Sequence, residues 1–352
     1  RFCDPCGMVK MDDGAIIIAD HSNNRLCKLQ NGVVTTLAGG EHGFADGPAA
    51  AARFFGPTGL ALDAQGRVLV VDECNIRVRR VTSEGETTTI GGADGPRIDG
   101  TPHGIMTARD GTVFVGTYSP PRIFMLAEDG SITTLAGGEE GFRDGRGEAA
   151  QLCDPVAMAE GADGQIYVAE DENNCIRRVN RDGTVTTVAG GPGEVDEDGD
   201  PIDADGIDGD LATARFNNPS AVAVASDGTI YVGEYSGQCV RQIRDGVVKT
   251  IWRGEHVVYG LLLDDNLLYA TTFFRVITIT IGTLAEEQEA RYYPVLQTWA
   301  LMQEEDRTES MPVRVAAVDE SAEEAHARRA LCLLMDCPIP DILVRTLRFL
   351  YN

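Results

Sequence analysis

Positive charge is scarce in this sequence. Its 352 residues include 30 Lys and Arg against 55 Asp and Glu, which leaves a formal net charge of −25. Proteins that bind nucleic acids draw much of their affinity from neutralising phosphates with basic side chains. The deficit therefore predicts that the chain does not bind nucleic acid.

Long apolar runs are missing as well. No stretch approaches 18 consecutive apolar residues, the length that a membrane-spanning helix requires. We therefore expect no membrane insertion. The chain starts at Arg1 rather than Met, which indicates a processed or truncated N-terminus and leaves an organellar location open.

The sequence has nine cysteines, an odd number, so they cannot all form pairs within the chain. Cys3 and Cys153 occupy one position of a repeated segment, and Cys175 and Cys239 occupy another. Successive repeats hold equivalent positions apart, so these pairs are poor disulfide partners. We predict free thiols in a reducing intracellular compartment, the cytoplasm. The Cys3–Cys6 pair has the spacing Cys-x-x-Cys but lacks a second such pair to complete a zinc site.

The sequence contains one segment that is repeated about five times. Residues 53–72 and 215–234 share the pattern Arg-Phe-x-x-Pro, an apolar run, a turn and a second apolar run. Related openings occur at 1–5, 101–104 and 151–155, and Thr-Thr-(Leu/Val/Ile)-(Ala)-Gly-Gly closings occur at 35–40, 88–92, 133–138 and 186–191. Such self-similarity at a fixed period indicates a repeat architecture.

Each repeat has the pattern of four short strands. In the second repeat, runs rich in β-branched residues at 59–63, 68–71, 76–81 and 86–90 alternate with turn formers. The alternation within 76–81 predicts one packed face and one wet face. Four strands in about 40 residues is the size of a propeller blade. The blades are predicted at 1–40, 53–92, 98–138, 151–191, 215–254 and, in degenerate form, 256–282.

The sixth blade lacks an obvious outer strand. Either it has three strands, or the ring is closed by residues that preceded Arg1 or by the tail. The expected fold class is therefore all-β, a six-bladed propeller over residues 1–282, followed by a short helical C-terminal extension over 283–352.

The segments 52–63 and 68–81 resemble the NHL repeat, and the likeness covers roughly residues 1–282. The resemblance implies a six-bladed propeller of a family whose members are mostly recognition modules. A minority of similar propellers are lyases, lactonases or hydrolases with a metal in the central channel.

In a blade of four antiparallel strands, the loop between strands two and three and the loop to the next blade emerge on the same face. We predict an acidic, amide-rich binding face there. Its candidate residues are Asp20, His21, Asn24, Asp72, Glu73, Asn75, Tyr118, Asp171, Glu172, Asn173, Glu234 and Tyr235. Hydrogen bonds of Asp20 with Arg25 and of Asp72 with Arg77 are the structural alternative to a binding role for those two carboxylates.

The sequence offers two metal-binding alternatives. An acidic loop has carboxylates for Ca²⁺ at Asp196, Asp198, Asp200, Asp203 and Asp205, but it lacks the bidentate Glu of an EF-hand, and an expanded solvated loop is the favoured interpretation. His103 and His256 fall near the starts of inner strands, where a channel metal would find ligands, but two histidines do not complete a catalytic zinc site.

The tail changes from strand to helix periodicity at about Thr283, with apolar stripes that must pack on the propeller, on a partner or on one another. Its end, 339–351, faintly resembles an F-box or a BTB domain. We therefore predict a non-catalytic interaction scaffold without cofactors, which binds a basic or amide-rich protein and is anchored by its tail in a larger assembly. The alternatives are a metal-dependent propeller enzyme and the substrate-reading subunit of a ubiquitin-ligase adaptor.

Overall fold

The computed structural model describes residues 1–92, 98–127, 131–192 and 206–281. Apart from three short 3-10 turns (His21–Asn23, Glu73–Asn75 and Gly147–Ala149), the regular structure of these residues is β. None of the described segments contains a helix long and apolar enough to cross a membrane. The predicted helical extension and the residues of the predicted calcium loop lie outside the described residues.

Apart from a short parallel pair, Glu139–Glu140 with Gln151–Leu152, the strands of the described residues group into six antiparallel sheets that follow one another along the chain. The first three blades are β1–β4 (Pro5–Lys10, Ile16–Asp20, Arg25–Gln30, Val33–Gly39), β5–β8 (Pro57–Leu62, Val68–Asp72, Arg77–Val81, Thr87–Gly92) and β9–β12 (Pro102–Thr107, Val113–Thr117, Arg122–Leu126, Ile132–Gly137). Three two-residue strands follow, β13 (Glu139–Glu140), β14 (Gly145–Arg146) and β15 (Gln151–Leu152).

The fourth blade comprises β16–β19 (Pro155–Glu160, Ile166–Glu170, Cys175–Val179, Thr184–Gly190), and the short β20 (Gly209–Asp210) precedes the fifth, β21–β24 (Pro219–Val224, Ile230–Glu234, Cys239–Arg244, Val247–Arg253). The sixth blade has three strands among the described residues, β25–β27 (Val258–Asp264, Leu267–Thr272, Arg275–Thr280). The six predicted blades are thus confirmed.

The ring closes without exchange of a strand between the first and last blades among the described residues. The innermost strands contact one another in the order β1, β5, β9, β16, β21, β25 and back to β1. The hydrophobic core is correspondingly divided into six clusters, one between each pair of neighbouring blades. In the closing cluster, Val276 of blade six packs with Met8 and Ile18 of blade one.

Because a neighbouring blade covers each face of every sheet, interior strands are buried on both sides. All residues of β2, β6, β10 and β22 are buried. The expectation of one wet face for residues 76–81 is therefore wrong, since both Val78 and Arg79 are fully buried.

Small residues allow the innermost strands to approach closely. A Cβ atom on Gly7 would lie 2.6 Å from the carbonyl oxygen of Thr58, and one on Gly59 would lie 2.7 Å from that of His103. Blades four and five have Ala157 and Ala221 at the equivalent position. The repeat therefore keeps this position small because the backbone of the next blade occupies the space.

Candidate functional site: the loop face and the channel mouth

The two faces of the ring differ in composition. We call loop face the one formed by the loops between the second and third strands of each blade and by the interblade loops. The opposite face, the turn face, carries the loops between the first and second and between the third and fourth strands. All twelve residues predicted for the binding face lie in the loops of the loop face or, as Asp20, Asp72 and Glu234 do, at the end of the strand that leads into such a loop.

Several of these twelve residues are part of a buried framework. Asp20, Asp72 and Glu234 are fully buried, and Asn173 is nearly so. The prediction that they present polar groups to a partner is therefore wrong. Asp20 does pair with Arg25, with 2.7 Å between Oδ2 and Nε, as predicted.

The framework recurs with a spacing of seven residues rather than five. Asp72 pairs with Arg79, Glu170 with Arg177 and Glu234 with Arg241; all six side chains are fully buried, and the N–O distances are 2.6, 3.2 and 2.7 Å. Each guanidinium also reaches the Asp-Gly aspartate of the preceding interblade loop, namely Asp46, Asp144 and Asp208. These arginines therefore tie each interblade loop to the blade that follows.

The amides serve the same framework. Nδ2 of Asn75 donates to Asp72 (2.9 Å) and to the carbonyl of Gly43 (2.8 Å). Oδ1 of Asn24 accepts a hydrogen bond from the backbone N–H of Gly56 in the next blade (3.0 Å). The amide side chains of the loop face are thus largely engaged in hydrogen bonds within the protein.

The remaining six predicted residues surround the entrance to the central channel, and we call this region the channel mouth. They are His21, Glu73, Tyr118, Asp171, Glu172 and Tyr235. The innermost strands add one residue per blade near their starts, namely Cys6, Thr58, His103, Val156, Ser220 and Tyr259. Sequence reasoning identified His103 only as a metal ligand and missed Tyr259, although both stand at the same place in the repeat.

Glu73, His103 and Tyr118 form one hydrogen-bonded group. The two oxygens of Glu73 lie 3.2 Å from Nδ1 of His103 and 3.0 Å from the hydroxyl of Tyr118. Burial raises the pKa of Glu73, but the bonds from His103 and Tyr118 outweigh it and leave this pKa below its usual value. Burial and the nearby Glu73 charge raise the pKa of Tyr118 to about 12.

A second group lies on the opposite side of the mouth, where Asp4 accepts hydrogen bonds from two hydroxyls. The Tyr259 hydroxyl donates to Oδ1 (3.0 Å) and the Ser22 hydroxyl to Oδ2 (2.6 Å). The ring of Tyr259 meets that of Tyr235 edge to face at 5.6 Å between centroids.

Blade four contributes an acidic sector, formed by Asp154, Asp171 and Glu172. Burial raises the pKa of Asp171 to about 6, and the neighbouring Glu172 and Asp154 charges act in the same direction. Burial and the Glu172 charge also raise the pKa of Asp154, whereas His103 opposes both shifts. Asp154 could have been found from the sequence, because it belongs to the Asp-Pro pair that directly precedes the innermost strand of the repeat.

The described part of the structure does not support either of the two metal-binding alternatives. Within the described ranges, no three His, Cys, Asp or Glu side chains are grouped so as to hold a metal ion. His256 is exposed in the segment before β25. The five aspartates of the proposed calcium loop lie outside the described residues.

The closed ring of six sheets, each built on three or four long antiparallel strands, defines a six-bladed β-propeller. A family model described as the Teneurin NHL domain matches residues 148–244, which supports the predicted NHL-repeat propeller. Teneurin-3 of Danio rerio is 26% identical over 229 residues, which cover 56% of this chain and 8% of that relative. The chain thus spans a small part of the length of this relative.

Solved structures share the fold at low identity. A catalytically inactive virginiamycin B lyase from Staphylococcus aureus with quinupristin has a TM-score of 0.55 at 16% identity, covering 79% of this chain and 95% of that one. A chain of a nidogen/laminin complex has a TM-score of 0.53 at 16% identity, covering 74% and 87%. Propellers of this shape therefore occur both in an enzyme and in a protein complex.

Proposed function

We propose that this propeller is a non-catalytic interaction module that captures a protein partner on its loop face. The observation that carries the proposal is the unequal distribution of exposed apolar side chains. Seven of the nine large apolar side chains exposed in the described residues belong to the loop face: Phe44, Phe55, Ile76, Phe142, Ile207, Tyr235 and Phe273. The other two, Val33 and Val247, follow turns of the opposite face.

Aromatic side chains supply much of the binding energy in protein interfaces. Phe55, Tyr235 and Phe273 are 45, 42 and 38% exposed. Phe44 and Phe142 have a structural role in addition, because they cover the framework guanidinium groups of Arg79 and Arg177 at 5.0 and 5.2 Å. The first three aromatics are therefore the better candidates for binding energy.

The charge of the loop face favours a basic partner. The channel mouth carries Glu73, Asp154, Asp171 and Glu172, and the whole chain is strongly acidic. Such a field speeds and orients the docking of a positively charged surface more than it supplies affinity. That the tail anchors the propeller in an assembly, as a ubiquitin-ligase adaptor or otherwise, remains a prediction, as does the cytoplasmic location.

The test compares partner capture by two matched sets of variants. Phe55→Ser, Tyr235→Ser and Phe273→Ser together remove exposed apolar surface from the loop face, and Val33→Ser with Val247→Ser removes it from the turn face. We expect quantitative mass spectrometry of cross-linked native complexes to show loss of a partner with the first set and its retention with the second. Equal capture by both sets would refute the proposal.

A second candidate function, a metal-dependent propeller enzyme, is favoured by one observation. Glu73 orients both His103 and Tyr118 at the channel mouth, an arrangement that resembles a base with its orienting group and an acid. Elemental analysis of protein purified from its natural source tests this candidate. A stoichiometric transition metal that is lost in His103→Ala would replace the interaction proposal, and its absence would leave the interaction proposal in place.

A further inference from the structure

The channel mouth has polar groups that the fold does not use, and this inference rests on the interaction function proposed above. At the equivalent positions of the innermost strands, Thr58 and Ser220 donate their hydroxyl protons to carbonyl groups of the next blade, at 3.1 and 2.5 Å. They hold the blades together. The tyrosines and carboxylates of the mouth, in contrast, surround an opening.

The carboxylates of the mouth fall into two kinds. Glu73 and Asp4 each accept hydrogen bonds from two side chains of the ring. Asp154 and Asp171 have no ion pair with Lys or Arg within the described part of the chain, and His103 is the neighbour that lowers the pKa of both carboxyl groups. This differs from the framework, in which every buried acid has its own guanidinium.

One atom of the acidic sector is left without a donor. Oδ1 of Asp171 is buried and has no hydrogen-bond partner among the described residues, although the Asn218 side chain acts on the same carboxyl group and lowers its pKa against the effect of burial. A buried acceptor without a hydrogen-bond partner destabilises the folded protein. A donor that arrives with a binding partner would satisfy this oxygen, and a cationic donor would also reduce the repulsion between Asp171 and Asp154.

The opposite side of the mouth is suited to the same ligand. The edge-to-face pair of Tyr235 and Tyr259 offers aromatic surface next to the Asp4 carboxylate. Aromatic rings beside carboxylates attract ammonium and guanidinium groups. A basic side chain with a flexible aliphatic stem would thus meet apolar surface and negative charge together.

We propose that the channel mouth receives one lysine or arginine side chain of the partner protein, whose charged end is held by Asp154 and Asp171. The rest of the partner lies on the exposed aromatics of the loop face. The centre of this surface therefore recognises the cation, and the surrounding rim recognises apolar groups.

The experiment uses two small cations as probes on the full chain. Butylammonium and ethylguanidinium imitate the ends of lysine and arginine, and 1-butanol is the uncharged control. We expect saturable NMR shifts at the ring signals of His103, Tyr118 and Tyr259 with the cations but not with the alcohol, with a dissociation constant on the order of millimolar.

Variants locate the site. Asp154→Asn with Asp171→Asn should weaken binding of the better cation at least tenfold. Asp12→Asn with Asp265→Asn removes the same charge from exposed positions of the turn face and should leave binding unchanged. Asp171→Asn alone serves if the double variant unfolds, and it should weaken binding at least threefold.

Shifts that do not saturate, or equal affinities in the two double variants, would overturn the inference. If the cations fail to bind while the loop-face aromatic variants still lose the partner, this inference falls and the interaction function stands. If partner capture ignores the loop-face variants, the interaction function falls whatever the cations do.

Discussion

Arg79→Lys replaces a guanidinium whose five N–H groups are all used. Nη1 donates to Asp72 (2.6 Å) and to the carbonyl of Arg53 (3.0 Å), and Nη2 donates to the carbonyl of Ala45 (2.7 Å) and to Asp46 (2.6 Å). Nε donates a further bond to Asp46 at 3.0 Å. Lysine keeps the charge but has three donors on a single atom, so it cannot span these acceptors.

The expected loss follows from the bonds that lysine cannot make. A lysine that stays with the buried Asp72 forfeits two or three of the five bonds, and a hydrogen bond to a charged group contributes about 1.5–3 kcal/mol. Water compensates in part, because the side chain of Asp46 is 42% exposed. We therefore expect the free energy of unfolding to fall by about 3 kcal/mol, near the lower end of the range for breaking a buried ion pair.

Urea denaturation followed by far-ultraviolet circular dichroism measures this loss, and Arg80→Lys on the same strand is the control. Arg80 is partly exposed and lies 3.1 Å from Asp63, so its replacement should change the stability by less than about 1 kcal/mol. A loss below about 0.5 kcal/mol for Arg79→Lys, or equal losses for both variants, would refute the framework role of the guanidinium.

Three further predictions concern other parts of the ring. Gly104→Ala places a Cβ 2.7 Å from the carbonyl oxygen of Val156. The resulting overpacking should lower the free energy of unfolding, measured by urea denaturation, by about 1–3 kcal/mol. An unchanged stability would show that the blades can separate freely. The pKa of Asp171 is raised to about 6, so its ionisation destabilises the folded state increasingly as pH rises from 4 to 6. Asp171→Asn should therefore raise the free energy of unfolding by about 1 kcal/mol at pH 8 but not at pH 4. The same gain at both pH values would contradict an effect of the Asp171 charge. Tyr118→Phe removes a donor to Glu73 and should raise the pKa of Glu73, as read by a carbon-13 NMR titration; an unchanged pKa would exclude the hydroxyl as a cause.

The repeat made the fold predictable. Apolar runs, turn residues and the Gly-Gly closings recur with the period of a blade, and a blade cannot cover both of its faces alone, so the number of copies predicted the number of blades. The degenerate sixth copy was still recognisable, because its three apolar runs between 257 and 281 became β25, β26 and β27.

The twelve residues predicted for the binding face do lie on one face of the ring, but the exposure of several of them was misjudged. Asp72 and Glu73 are adjacent and both acidic, yet Asp72 is fully buried against Arg79 while Glu73 lies at the channel mouth. The sequence offered Arg77 as the framework partner of Asp72, but the buried partner is Arg79. The partner of Asp72 became evident only when the interblade loop returned over the blade and completed the acceptor set of the guanidinium.

The sequence alone determined the closed ring of blades, because the period, the turn chemistry and the small residues of the innermost strands are local properties that each repeat carries by itself. Only the tertiary structure decided which acids are framework and which are free to bind. That distinction depends on distances between groups from different blades, such as Glu73 with His103, or Asp154 beside Asp171 with no guanidinium in reach among the described residues. Burial and pairing are properties of the assembled ring, and a side chain acquires them only when its neighbours arrive from elsewhere in the chain.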